Sequence, residues 1–71
     1  MITDKELIQR VINRLNEREE IKKLNSGFEH YTSTQGNSCI LLDGQQISVC
    51  NDEEKTLDCL AAIEETLNVI Q

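Results

Sequence analysis

The sequence predicts an α+β fold, αββ(β)α, in which two helices cover one side of a two- or three-stranded antiparallel sheet as a two-layer sandwich. Three observations carry this. Thr3, with Glu6 three residues on, opens an apolar stripe at helical period. An Asp43-Gly44 pair joins two short segments of β character. The run Asn51-Asp52-Glu53-Glu54 then opens a second helical stripe.

The first stripe is Leu7, Ile8, Val11, Ile12 and Leu15. The helix is expected to stop near Asn25, because Gly27 suits the left-handed position beyond a helix end. One irregularity interrupts it. Taking 100° per residue, the first apolar residues occupy roughly 0–140°, whereas Ile21, Leu24 and Phe28 fall roughly 260–320° around. Either the helix bends or ends near Asn16, or its second half offers a separate apolar strip, Ile21/Leu24/Phe28, to a partner or a second copy.

Two strands follow, Cys39–Leu42 and Gln45–Cys50, around a tight Asp43-Gly44 turn. A two-residue turn sets Ile40 opposite Ile47 and Ser38 opposite Val49. One face is then Ile40, Leu42, Ile47 and Val49, and the other Cys39, Leu41, Gln46, Ser48 and Cys50. A third strand is placed at Phe28–Ser33, turning at Gln35-Gly36-Asn37. The last helix buries Leu60, Ile63, Leu67 and Ile70, with Leu57 at the edge.

All 71 residues are assigned to one domain, close to the smallest size that holds itself together without staples. Trp is absent and Phe and Tyr occur once each, so the core is aliphatic. No apolar run approaches the roughly 18 residues of a membrane span. Met1-Ile2-Thr3-Asp4-Lys5 has neither signal-peptide nor transit-peptide character, and a cytoplasmic location is expected. Three cysteines, an odd number without dense spacing, agree with that compartment rather than with a secreted disulfide framework.

The net charge of −6 is unevenly spread. Residues 1–25 carry a balance of +1 and residues 26–71 a balance of −7. Glu54, Asp58 and Glu65 fall within about 40° of one another on the last helix, opposite its buried stripe, with Asp52 and Glu53 at the foot. This acidic ridge suits a basic groove, including one that normally holds nucleic-acid phosphates. Arg10, Arg14, Arg18 and Lys22 make a contrasting basic ridge at steps of four, with Glu6–Arg10 and Glu19–Lys23 placed as intrahelical pairs. Double-stranded RNA-binding domains are similar in element order. They begin their second helix with basic residues, however, and this chain has carboxylates there. Direct nucleic-acid binding is therefore disfavoured.

Catalysis is not expected. His30 is the sole histidine, and there is neither a Gly-x-Ser-x-Gly elbow nor a phosphate-cradling glycine loop. Cys39, Cys50 and Cys59 lack a Cys-x-x-Cys knuckle and are read as small apolar residues, with no metal and no cofactor. The resulting expectation is a small non-catalytic accessory or inhibitor module. It binds an unidentified protein that handles nucleic acid, in the manner of phage or mobile-element anti-CRISPR or anti-restriction proteins. The alternative is a self-associating homodimer closed by the Ile21/Leu24/Phe28 strip or the Leu41 face of the sheet.

Overall fold

The computed structural model describes residues 2–70. Helix α1 (Asp4–Asn16) and a short helix α2 (Glu19–Lys23) precede strands β1 (Phe28–Thr32), β2 (Ser38–Leu42) and β3 (Gln45–Cys50), and α3 (Glu53–Val69) ends the fold. The sheet has the order β1-β2-β3 and both pairings are antiparallel. Helices α1 and α3 pack on each other and on one sheet face, so the expected helix–three-strand–helix sandwich is formed.

The helix starts follow the sequence closely. Thr3 Oγ1 accepts the Glu6 N–H at 3.2 Å and caps α1. Asp52, one residue later than expected, caps α3 by accepting the Lys55 N–H at 2.8 Å. The irregular stripe is explained by a break after Asn16. Asn16 then serves both backbone groups of Phe28: its Oδ1 accepts the N–H at 2.7 Å and its Nδ2 donates to the C=O at 3.0 Å. A side-chain amide thus replaces a strand neighbour at the start of β1, which no longer helix could provide.

The left-handed position after α2 belongs to Asn25, at φ 55°, and not to Gly27. Asn25 N–H reaches the Lys22 C=O and Ser26 N–H reaches the Ile21 C=O. These are the paired bonds of a Schellman end, in which asparagine tolerates the conformation usually given to glycine. The Asp43-Gly44 turn has positive φ at both residues, as the mirror-image hairpin turn requires. Its Asp43 carboxylate also accepts from Ser26 Oγ and Gly27 N–H, tying the hairpin tip to the chain entering β1.

One expectation about the hairpin is overturned. The register begins as a two-residue turn demands, Leu42 beside Gln45 and Leu41 beside Gln46, and then slips by one residue. Ile40 therefore faces Ser48 and not Ile47, and Ser38 faces Cys50 and not Val49. A bulge inserts one residue, and every side chain beyond it changes sheet face. Ser48 and Cys50 turn toward the helices, whereas Ile47 and Val49 stand 46% and 51% exposed. Cys39 and Cys50 consequently lie on opposite faces.

The core consists of Ile8, Ile12 and Leu15 from α1, Ile21 from α2, Phe28 and Ile40 from the sheet, and Leu60 from α3. Val11, Leu42, Leu57, Ile63 and Leu67 pack around it, half-buried. Leu7 at the edge of the first stripe and Ile70 at the end of the last are exposed. For Ile70 the reason is that α3 has ended: it is the C-cap, beyond the part of the helix that α1 covers.

Candidate partner-binding surface

Helix α3 turns Thr56 and Leu60 inward, both fully buried, and this fixes what its opposite side presents. Glu54, Asp58 and Glu65 are all exposed there. Among the described residues none of the three enters an ion pair. Ala61 and Ala62 are exposed between them, so a partner surface can approach the helix backbone closely. Farther along, a shallow depression is lined by Ala62, Glu65, Thr66, Val69 and Ile70. The carboxylate row thus runs into an apolar patch in which Val69 and Ile70 are largely solvent-facing.

The foot of the ridge is arranged differently from its body. The Asp52 carboxylate is occupied as the helix cap. Glu53 is half-buried, with Oε2 shielded from solvent and without a hydrogen-bond partner among the described residues. Its charge acts on His30, whose pKa it tends to raise, while burial, the larger influence, lowers it. Glu53 therefore belongs to the flank of the sheet, and the outward ridge reduces to Glu54, Asp58 and Glu65.

The basic ridge does not form as one surface. The break after Asn16 ends the four-residue phase, and three of the four cations are engaged within the chain. Arg14 grips Glu64 of α3 with two donors, Nε at 2.6 Å and a terminal nitrogen at 2.8 Å. This bidentate contact raises the Arg14 pKa and lowers that of Glu64. Arg18 pairs with Glu20 and donates to Asn68, and Lys22 pairs with Glu17. Neither Glu6–Arg10 nor Glu19–Lys23 is among the ion pairs of the described residues. Once α3 lies against α1, Glu64 on its flank takes Arg14.

The Ile21/Leu24/Phe28 strip is also not formed. Ile21 and Phe28 are 6% exposed and lie in the core, and only Leu24 remains outside. The helix break rotates Ile21 inward, which satisfies the misplaced apolar residues locally.

His30 lies on the helix-covered face beside a buried hydroxyl pair. Its Nε2 is 2.7 Å from Ser38 Oγ, to which Thr56 Oγ1 donates at 2.7 Å. With Thr56 donating to it, Ser38 Oγ keeps its own O–H to donate to Nε2, and the imidazole acts as the neutral acceptor. Ser38 is 2% exposed. A hydroxyl so enclosed has no path to a substrate, and the trio clamps α3 to β1 and β2. Among the described residues, no three His, Cys, Asp or Glu side chains converge as a metal site, and no helix is long and apolar enough to cross a membrane.

Comparison with protein families, curated proteins and solved structures yielded no significant match.

Sequence reasoning located the carboxylates but missed the neighbouring apolar end of α3, because Ile70 was assigned inward. The signal was present: Ala62, Thr66 and Val69 recur at steps of four and three, a second helical face beside the buried one.

Proposed function

We propose that this chain is a small non-catalytic protein-binding module that lays the outer side of α3 on a basic surface of a nucleic-acid-handling protein. It would act there as an accessory factor or inhibitor of the phage or mobile-element type, with anti-CRISPR- or anti-restriction-like action as the sharpest form. The observation that supports this is the unequal treatment of charge. The α1 side of the molecule neutralises Arg14 and Arg18 internally, while Glu54, Asp58 and Glu65 stay outward and unpaired beside an apolar patch. Carboxylates in a row attract a phosphate-binding groove at long range, and the adjoining alanines and Val69 supply area that can be desolvated on contact.

The test compares the protein with an E54Q/D58Q/E65Q variant as bait in a bacterial lysate, at low and moderate salt. The expected outcome is a retained nuclease, polymerase or similar enzyme whose affinity falls about tenfold or more in the variant and with rising salt. Equal retention by both baits would remove the ridge from the binding surface.

Self-association is the second reading, and the uncovered sheet face favours it. Tyr31, Ile47 and Val49 are exposed on this side, and β3 is an edge strand. Sedimentation should then reveal a dimer that I47S/V49S converts to monomer. A concentration-independent monomer in the unaltered protein rules this reading out.

A further inference from the structure

The bulge that carries Ile47 outward brings two thiols together on the other face. Cys50 at the end of β3 and Cys59 in the second turn of α3 have Sγ atoms 4.0 Å apart. Ser48 Oγ lies 3.6 Å from the first and 3.7 Å from the second, so one hydroxyl touches both sulfurs. Both cysteines are half-buried, which leaves them within reach of a small reagent. Cys39 is on the opposite face, 2% exposed. Neither burial in a core nor metal ligation accounts for a semi-exposed pair of this kind.

From this geometry we infer that Cys50 and Cys59 are a modification site, a dithiol that small-molecule disulfides such as oxidised glutathione convert to an intramolecular disulfide. A disulfide needs its sulfurs about 2.0 Å apart, so closure requires the two side chains to turn toward each other from their 4.0 Å separation. The chemistry is two exchanges. One protein thiolate attacks a sulfur of oxidised glutathione, forming a mixed disulfide and expelling one glutathione thiolate. The neighbouring protein thiolate then attacks the protein-side sulfur of the mixed disulfide, closing the Cys50–Cys59 bond and expelling the second glutathione. The protein gives up two electrons, the glutathione disulfide gains them, and the two thiol protons end on the two released thiols. Closure ties the first two turns of α3, with Glu54 and Asp58, to the end of β3. The site is independent of the partner reading above.

The experiment treats the full chain, fully reduced and natively folded, with oxidised glutathione, then denatures it and alkylates without reductant. The expected product is monomeric, lacks two hydrogens, accepts alkyl label only at Cys39, and yields a Cys50–Cys59 cross-linked peptide. In C59S, glutathione should stay attached to Cys50, and C39A should close the same bond as the unaltered protein. Three alkylated cysteines, separate glutathione adducts on Cys50 and Cys59, or disulfide-linked dimers as the main product would each overturn the inference.

Discussion

Helices α1 and α3 lie side by side on the same sheet, yet they spend their residues in opposite ways. The 13-residue α1 places Ile8, Ile12 and Leu15 at no more than 1% exposure. The longer α3, 17 residues, buries only Thr56 and Leu60 to that degree. Its remaining apolar residues are half-buried or, at Ala61, Ala62 and Val69, outside. Charges divide the same way: Arg14 and Arg18 of the α1–α2 region turn to partners within the chain, whereas Glu54, Asp58 and Glu65 form no ion pair among the described residues. One helix supplies most of the core, and the other is fixed by a narrow stripe that leaves its far side facing solvent. A helix needs only a narrow apolar stripe to be fixed in place, and the rest of α3 is then available for recognition.

This contrast is most severely tested by truncation. Ile12→Ala should cost about 2–5 kcal/mol, the lost transfer energy plus the cavity left in a packed core. A domain of this length has on the order of 4–10 kcal/mol in total, so the variant will unfold at much lower urea. Val69→Ala should change stability by less than about 0.5 kcal/mol, because the side chain already faces water. Equilibrium urea unfolding, with the slope checked for constancy, measures both. Equal losses at the two positions would show that the end of α3 is an integral part of the core.

Much of this organisation was legible beforehand, and the misreadings share a cause. Capping residues announce helix starts locally, as Thr3 does through Glu6, and the Asp43-Gly44 pair dictates its own turn. The bulge in β3 has no such local marker, since Gln46-Ile47-Ser48 would extend a regular ladder equally well. Its consequence is tertiary. Without it Ile47 and Val49 would face α3; with it Ser48 and Cys50 do, next to Cys59. The basic ridge failed for a similar reason. Spacing by four describes a helix in isolation, while Arg14 chooses Glu64, 50 residues away in sequence, once the fold has brought it near. Alternation and spacing predict which residues share an element, and only the packed neighbours decide what those residues do.

A smaller effect separates the two attachments of α3 by pH. Its start is held to the sheet through Thr56, Ser38 and neutral His30. Chiefly because of burial, with Lys5 adding to it and Glu53 opposing, the His30 pKa is depressed below its ordinary 6.5. The unfolded chain therefore takes the proton first. The clamp contributes fully above about 6.5 and is lost as pH falls through the lower folded value. A protonated ring no longer accepts from Ser38: the hydroxyl chain must reverse, with Ser38 donating to Thr56 Oγ1 and Thr56 to the Asp52 carbonyl at 3.3 Å, and a charge is left in a partly buried place. The second attachment, Arg14 to Glu64, lies lower on the scale: the guanidinium holds the Glu64 carboxyl below 4.5, so its contribution persists until pH drops beneath that value. Acidification also relieves the repulsion of a chain at −6, which moves stability the other way. The difference between the protein and H30Q isolates the imidazole from that background. The thermal midpoint of the unaltered protein should fall relative to H30Q between about pH 7 and pH 5, while E64Q tracks it in parallel across the same range. If the two midpoints for His30 and its replacement move together instead, the hydroxyl clamp contributes nothing that titrates.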